Sequence, residues 1–132
     1  MSTPIRPRIL VVEDLPEARV LLKHILQKQY HIETVPGVEA ALKIASEQSF
    51  DLFLLDINLG GDLNGMDLLR LLREAPQYHE TPALAVTVHS MPWETEMFFE
   101  AGFSGFVTKP FRQAALLEAI EAVLNSQDSS ST

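Results

Sequence analysis

The chain has 132 residues, about the size of one ordinary domain, and 46% of them are apolar, which is enough for a single core and too many for a disordered chain. It has no Cys, which excludes disulfides and cysteine chemistry. Its net charge of −8 argues against direct binding to nucleic acid. No apolar stretch approaches the roughly 18 residues of a membrane span, and no signal-type segment follows the N-terminus. We therefore expect a cytoplasmic protein that does not bind membranes.

Short apolar runs alternate with helical patterns in the first half of the chain. The first predicted strand is Arg8–Glu13, and Pro16 suits the first turn of the helix that follows. Residues at helical spacing predict its buried side, whereas Arg19 is expected to face water; the buried set is Ala18, Leu21, Leu22 and Ile25. A second strand, Tyr30–Val35, precedes a helix with its own apolar stripe, made of Val38, Ala41, Leu42 and Ala45.

The second half continues the alternation. Leu52–Leu55 is a continuous apolar run, which is typical of a central strand buried on both faces. Ser90 is expected to cap a fourth helix, with Pro92 in its first turn and Ala101-Gly102 at its end. The other predicted elements are the loop Gly60–Gly65, the helix Met66–Arg73, the strands Ala83–Val88 and Gly105–Thr108, and the last helix Phe111–Leu124.

Five strand–helix units in this order predict an α/β fold with parallel strands and helices on both faces of a doubly wound sheet. No internal repeat or linker divides the chain. We expect one domain over residues 8–125, an N-terminal extension over 1–7, and a polar, disordered tail over 126–132.

Charged side chains follow three of the predicted strands. Asp56 ends the central apolar run, Glu13 and Asp14 end the first, and Lys109 follows the last. In a parallel sheet the carboxyl ends of the strands share one edge, and ligands bind there. Because clustered carboxylates repel one another, a bound divalent cation is the usual reason for such a cluster. Asp56 is therefore a candidate nucleophile in a metal-dependent site.

These residues resemble the receiver domain of bacterial response regulators, the phosphoacceptor half of two-component signalling, and most of all the chemotaxis receivers. Four segments in the right order and spacing carry the resemblance, which spans about Arg8 to Leu124; they are Ile9–Asp14, Asp51–Asp56, Val86-Thr87 and Ala101–Phe111. The resemblance implies a flavodoxin-like sheet of five parallel strands in the order 2-1-3-4-5 with five helices.

The resemblance also implies a role for each residue at the sheet edge. Asp56 would accept the phosphoryl group as an acyl phosphate, with Lys109 neutralising the phosphoryl oxygens. Mg²⁺ would be held by Glu13, Asp14, Asp56 and the backbone carbonyl of Asn58.

Two further residues would act as the switch. Thr87 would hydrogen-bond the attached phosphoryl group, and Phe106 stands where the family has an aromatic switch residue, often Tyr. Core packing is the competing interpretation of Phe106, because Phe lacks the hydroxyl. The Lys109–Pro110 peptide bond is expected to be cis, as is typical of the family.

Some residues depart from the family pattern. Gly60 stands where Pro is common, and the loop from Asn58 to Gly65 is one residue longer than the usual form, so we expect a mobile loop. Val88 replaces a small residue after Thr87 and is expected to narrow access to the site. His89, beyond it, is expected to be a solvated loop histidine. Of the consecutive residues Met97, Phe98 and Phe99, at least one is expected at the surface.

The resulting hypothesis is a receiver that takes a phosphoryl group from a sensor histidine kinase or a phosphotransfer protein and switches a surface that binds a downstream protein. It would catalyse only its own phosphorylation and dephosphorylation, and it would not be a turnover enzyme. Output would pass through a partner or through a domain outside this sequence, with a homodimer through the fourth helix, fifth strand and fifth helix as one option. Three alternatives stay open: a receiver excised from a hybrid kinase or multidomain regulator, a phosphorylation-independent receiver, and a haloacid-dehalogenase-type aspartyl phosphatase, for which Asn58 replaces the required second acid.

Overall fold

The computed structural model describes residues 6–88 and 91–130. In this part of the chain five parallel strands pair in the order 2-1-3-4-5, so the predicted flavodoxin-like α/β sheet is confirmed. The strands are β1 (Arg8–Val12), β2 (His31–Val35), β3 (Leu52–Asp56), β4 (Ala83–Thr87) and β5 (Gly105–Thr108). The helices are α1 (Pro16–Leu26), α2 (Val38–Glu47), α3 (Gly65–Leu72), α4 (Pro92–Glu100) and α5 (Gln113–Ser130), with a 3₁₀ helix at Pro76–Tyr78.

The last helix differs from the predicted range Phe111–Leu124 at both ends, because it begins at Gln113, whereas the expected cap of α4 is not tested. Ser90, the expected cap of α4, lies outside the described residues; the helix begins at Pro92, and the Glu94 carboxylate accepts a hydrogen bond of 3.2 Å from the Met91 backbone N–H. α5 continues to Ser130, into the segment over which a disordered tail is predicted. None of the helices that the structure describes combines the length and the apolarity needed to cross a bilayer.

Alternate residues of the strands face two separate cores. On one side the sheet packs against α2, α3 and α4, and the buried strand residues there include Leu10, Val12, Phe53, Leu55 and Ala85. On the other side it packs against α1 and α5, and the buried strand residues there include Ile9, Val11, Leu54, Leu84 and Val86. Burial on both faces explains the uninterrupted apolar runs of the strands. The sheet is therefore the rigid layer from which the strand-end side chains project.

The buried side of α1 lies one residue further along than the sequence predicts. Leu22, Ile25 and Leu26 are buried, whereas Leu21 is 52% exposed. A helix turns by about 100° per residue, so a stripe centred on Leu22 and Leu26 leaves Leu21 at its edge. The expectation that Leu21 belongs to the core is wrong, and the residue lies on the surface beside the functional site.

The run Met97, Phe98 and Phe99 divides between core and surface. Phe98 is 4% exposed, whereas Met97 and Phe99 are 42% and 53% exposed. Consecutive residues of a helix point in different directions, so only one of the three can enter the core. The expected surface exposure is confirmed for two of these residues.

Tyr78 ties the 3₁₀ helix to the end of α2. Its side chain is buried, and its hydroxyl lies within hydrogen-bond distance of the carbonyl oxygens of Ala45 at 2.8 Å and Gln48 at 2.7 Å. Its ring also makes an edge contact with Phe53 of β3, with 5.0 Å between the ring centroids. The single hydroxyl proton of Tyr78 is therefore shared between two nearby backbone carbonyl oxygens at the end of α2.

We predict that Tyr78→Phe lowers the free energy of unfolding by about 1–2 kcal/mol, because it removes the hydroxyl that donates to these carbonyl oxygens. The measurement is urea unfolding followed by circular dichroism. Tyr30→Phe is the matched control, because Tyr30 is also buried but its hydroxyl has no hydrogen bond among the described residues. Equal losses in the two variants would contradict the role given to the Tyr78 hydroxyl.

Candidate functional site at the carboxyl edge of the sheet

The register of the sheet aligns the ends of β1, β3, β4 and β5. Val12 pairs with Leu55, so the residues that follow them, Glu13 and Asp56, come side by side. Thr87 is in register with Thr108, which directly precedes Lys109. The sheet therefore brings together the strand-end residues that the sequence predicts to share one edge.

Lys109 bridges two of the carboxylates. Its Nζ lies 3.0 Å from Glu13 Oε2 and 3.0 Å from Asp56 Oδ2, while its backbone N–H donates to the Thr87 carbonyl oxygen at 2.7 Å. Burial acts to lower the pKa of the Lys109 ammonium, but the hydrogen bonds to Asp56 and Glu13 outweigh it, so the pKa is raised. Lys109 is therefore held in its charged form. The Lys109–Pro110 peptide bond is cis, as predicted.

Glu13 is the most buried acid of the site, with 1% of its surface exposed. The pKa of its carboxyl group is raised to about 7, first by burial and then by its hydrogen bond with Asp56, against the opposing effect of Lys109. The backbone N–H of Leu15 also donates to Glu13 Oε1, at 3.3 Å. A carboxylate held in this way needs positive charge nearby in order to ionise fully.

The acids fit a divalent cation. Oxygen atoms of Glu13, Asp14 and Asp56 all lie within 4.8 Å of one another. Hard carboxylate oxygens are the ligands that Mg²⁺ prefers. Three carboxylates face a single ammonium group, so Lys109 alone does not balance their charge. The residues present therefore suit the predicted metal, and they could hold it together with water.

The backbone around Asp56 fixes the orientation of its carboxylate. The Asn58 backbone N–H donates to Asp56 Oδ1 at 3.0 Å, and the backbone N–H of Ile57 donates to the Val86 carbonyl oxygen at 3.0 Å. A Cβ atom on Gly65 would lie 2.5 Å from the Asp56 carbonyl oxygen, so only glycine fits where α3 begins. The role of the Asn58 carbonyl as a metal ligand stays a prediction.

A cavity of about 210 Å³ opens beside Asp56. Thr87, 3% exposed, lies in its wall. Val88 lines the same cavity and is 64% exposed, so it borders the mouth of the site, where it is predicted to narrow access. His89, the expected solvated histidine, lies outside the described residues.

Phe106 packs against the core rather than lying free at the surface. It is half-buried, and its ring centroid lies 6.3 Å from that of Phe98 in α4. The position therefore connects β5 to α4. A role as a switch residue stays a prediction.

Arg19 is the residue that the sequence pattern missed. The structure corrects the expectation that it faces water, because its Nη1 donates to the carbonyl oxygens of Glu13 at 2.7 Å and Asp14 at 3.1 Å. The N-cap residue of α1, Leu15, has no polar side chain with which to cap the helix. Helical periodicity gave no signal for this contact, because a long side chain can reach back along its own helix.

Gly60 packs against the metal-binding acids. Its φ of +75° lies in the left-handed region, and a Cβ atom there would lie 3.1 Å from Asp14 Oδ2. Proline, common at this position in the family that the chain resembles, is restricted to a φ near −65° and cannot adopt this conformation. A Cβ atom added to the neighbouring Gly61 would meet nothing within 4 Å. The glycine that replaces the common proline at position 60 therefore lets the loop backbone pack closely against Asp14.

The fold and the site define a class of protein: a doubly wound parallel α/β domain with an acidic, lysine-bridged pocket at the carboxyl edge of its sheet. The family model described as the response regulator receiver domain matches residues 9–121. The chain therefore belongs to the response regulator receiver domains of two-component signalling. This membership leaves the aspartyl-phosphatase alternative without support.

Individual relatives agree with the family. The chain is 28% identical to the chemotaxis protein CheY1 of Helicobacter pylori, over 92% of this chain and 99% of that protein. It is 30% identical to the signal transduction histidine-protein kinase BarA of Escherichia coli K12, over 82% of this chain but only 12% of the kinase. The solved structure of the Vibrio cholerae chemotaxis response regulator CheY4 superposes with a TM-score of 0.85 at 28% identity, covering 90% of this chain and 99% of that one.

We predict that Gly60→Ala weakens Mg²⁺ binding by roughly tenfold, because the added Cβ displaces Asp14 Oδ2 and groups that orient ligands typically matter to that extent. Isothermal titration with MgCl₂ measures the affinity, and thermal unfolding without metal measures the separate effect of backbone strain. Gly61→Ala is the matched control and should bind Mg²⁺ as the parent does. An unchanged affinity in Gly60→Ala would contradict the positioning role of Gly60.

Proposed function

We propose that this receiver accepts a phosphoryl group from a phosphohistidine of a partner protein onto Asp56. The observation that carries the proposal is the convergence of Glu13, Asp14, Asp56 and Lys109, with Lys109 Nζ 3.0 Å from the Asp56 carboxylate. A buried carboxylate with an ammonium group and a cation site beside it has what an attack on a phosphate requires, since the incoming group is itself negative.

The transfer is a displacement at phosphorus. An oxygen of the Asp56 carboxylate attacks, an O–P bond forms, the N–P bond to the donor imidazole breaks with its electron pair staying on nitrogen, and a proton from water neutralises that imidazole. Lys109 neutralises the charge on the transferring oxygens, from a position that its hydrogen bonds already define. Attack of water on phosphorus later releases inorganic phosphate and restores Asp56, so the chain acts as a covalent switch and not as a turnover enzyme.

Mg²⁺ is the proposed cofactor, and it would supply positive charge for the phosphoryl oxygens. Glu13, Asp14 and Asp56 would hold it with the backbone carbonyl of Asn58. Arg19 keeps the backbone of the acidic pair in place through its two hydrogen bonds. The geometry of the metal site is thus maintained by α1 as well as by the strands.

The proposed switch runs from Thr87 to α4. Phosphorylation adds about −1.5 to −2 charge and strong acceptor oxygens. Thr87 lies in the wall of the cavity beside Asp56 and would donate its hydroxyl to the phosphoryl group. Its neighbours in β5 lead to Phe106, which packs on Phe98 of α4, so a shift at Thr87 has a packed route to that helix.

An apolar cleft beside the site supports a protein as phosphodonor. A cavity of about 400 Å³ lies between α1 and the segment after β5, and its walls include Ala18, Leu21, Val88, Pro110 and Phe111. It shares Val88 and Lys109 with the cavity beside Asp56. Apolar surface next to a reactive carboxylate suits a docked protein better than a small hydrophilic donor.

Three forms of the receiver are to be distinguished. Similar proteins include one that matches this chain over nearly its whole length and a kinase of which the match spans only a small part. A free-standing receiver and a receiver segment of a longer protein therefore both agree with the relatives. A phosphorylation-independent receiver is the third form, and the next experiment distinguishes it.

We predict that Asp56→Asn abolishes phosphorylation by acetyl phosphate with Mg²⁺, because an amide cannot form the acyl phosphate. Intact-protein mass spectrometry and acid lability of the adduct measure the product. Asp62→Asn, at an exposed loop residue, is the matched control and should label normally. Continued labelling of Asp56→Asn, or no labelling of the parent chain, would contradict the proposed phosphoacceptor.

We predict that Leu21→Ser slows phosphotransfer from an autophosphorylated histidine kinase by about tenfold or more while leaving phosphorylation by acetyl phosphate unchanged. Leu21 is an exposed wall residue of the cleft, so its loss affects docking and not chemistry. The measurement is transfer of radiolabelled phosphate from the kinase found by profiling. Phe99→Ser, at an equally exposed apolar residue of α4, should transfer normally, and equal slowing in both variants would contradict the docking site.

A further inference from the structure

Arg19 holds the turn between β1 and α1 from the helix side. Its Nη1 atom donates to two successive backbone carbonyl oxygens, those of Glu13 at 2.7 Å and Asp14 at 3.1 Å. A peptide unit is planar, so the position of its carbonyl oxygen restricts the orientation of the whole unit. The two units that Arg19 contacts lie on either side of the Asp14 Cα atom. One guanidinium group therefore restrains both backbone dihedral angles of Asp14 and, with them, the direction of its side chain.

The same contact extends to the carboxylate of Glu13. The peptide unit that carries the Asp14 carbonyl oxygen also carries the N–H of Leu15, which donates to Glu13 Oε1 at 3.3 Å. Hydrogen bonds in a chain polarise one another, so a cation at the carbonyl end of this unit strengthens the donor at its other end. Arg19 therefore acts on both acids, on Asp14 through the backbone and on Glu13 through this hydrogen bond.

The loop after β3 confines the other end of Asp14. A Cβ atom on Gly60 would lie 3.1 Å from Asp14 Oδ2, so the loop backbone is close to this carboxylate. Arg19 restrains the backbone of Asp14, whereas Gly60 limits the space around its side chain. Asp14 therefore has little freedom to adjust its carboxylate to the size of a bound ion.

Helix stability does not explain a cation at this position. Arg19 is the fourth residue of α1, and its side chain reaches back past the start of the helix, where the macrodipole disfavours positive charge. In the described part of the chain its guanidinium forms no ion pair, and it donates to backbone carbonyl oxygens instead. A planar guanidinium fixes direction better than the compact ammonium group of a lysine. The position therefore suits a residue that orients the backbone.

We propose that Arg19 makes the acid pair selective for Mg²⁺ over Ca²⁺. Mg²⁺ requires near-octahedral geometry with ligands at about 2.1 Å, whereas Ca²⁺ accepts irregular geometry with more ligands at about 2.3–2.6 Å. Acids whose directions are fixed favour the ion with the stricter requirement, and acids that can move accommodate either ion. This role rests on the metal site of the proposed function, to which it adds the residue that sets the metal preference.

Separate isothermal titrations of the full chain with MgCl₂ and CaCl₂ measure this preference. Arg19→Gln should weaken Mg²⁺ binding by about tenfold and Ca²⁺ binding by less than about threefold, because groups that orient ligands matter most to the ion with strict geometry. The sign of the change is informative. Removing a positive charge near an acidic site would by itself strengthen the binding of either cation. Weaker binding of Mg²⁺ therefore reports the positioning of the acids.

Lys23→Gln is the matched control, because Lys23 is an exposed cation of the same helix. It removes the same charge and should not reduce the affinity for either ion. Arg19→Lys keeps the charge but loses the planar group, so its Mg²⁺ affinity should lie between those of the parent and Arg19→Gln. Thermal unfolding without metal measures any loss of stability separately.

Phosphorylation by acetyl phosphate provides a second measurement. In Arg19→Gln the Mg²⁺ concentration that gives half of the maximal rate should rise by about tenfold. Much of the rate lost at low Mg²⁺ should return at saturating Mg²⁺, because Arg19 does not line the cavity beside Asp56. A loss of rate that Mg²⁺ does not restore would contradict a role limited to the metal site.

Three further results would overturn the proposal. Mg²⁺ affinity in Arg19→Gln equal to or above that of the parent would make Arg19 a structural residue of the turn, and the proposed phosphoacceptor would stand. Equal weakening of Mg²⁺ and Ca²⁺ binding would show that Arg19 does not set the metal preference. A parent chain that binds no Mg²⁺ would contradict the proposed cofactor itself, and the role of Arg19 with it.

Discussion

The parallel register of the sheet is the constraint on which the site depends. The strands carry two buried faces, so their side chains cannot slip by one residue without exchanging the two cores. With the register fixed, the ends of β1, β3 and β5 place Glu13, Asp56 and Lys109 within hydrogen-bond distance, although they are far apart in the sequence. Packing of the hydrophobic core therefore fixes the positions of these charged side chains, although they contribute little to the core itself.

Charge at that site is out of balance. Three acids converge and one lysine bridges two of them, and burial, followed by the neighbouring Asp56, raises the pKa of Glu13 to about 7. An excess of negative charge is unfavourable in the isolated domain, and it is the property that makes a pocket selective for a cation and responsive to a phosphoryl group.

The cleft and α4 lie on opposite sides of the sheet. The cleft that includes Leu21 belongs to α1 and the segment after β5, whereas α4 is one of the helices that cover the other core. Phe106 connects the sheet to α4, since it belongs to β5 and packs on Phe98 of α4.

Much of the fold and of the site follows from the amino-acid pattern, because apolar runs, helical spacing and strand-end charges are local features. Together with the family resemblance they are sufficient to predict the strand order and to group the three acids with the lysine, since side chains at the ends of parallel strands must share one edge. Arg19 and Gly60 are different, because their contacts depend on how a long side chain folds back and on how a loop of left-handed φ approaches Asp14. Leu21 likewise changes from core to surface because packing against the sheet sets the rotation of α1. The contacts that support the acids therefore follow only from packing in three dimensions, and so does the exposure of particular apolar residues. Both depend on distances between segments, which no local sequence pattern encodes.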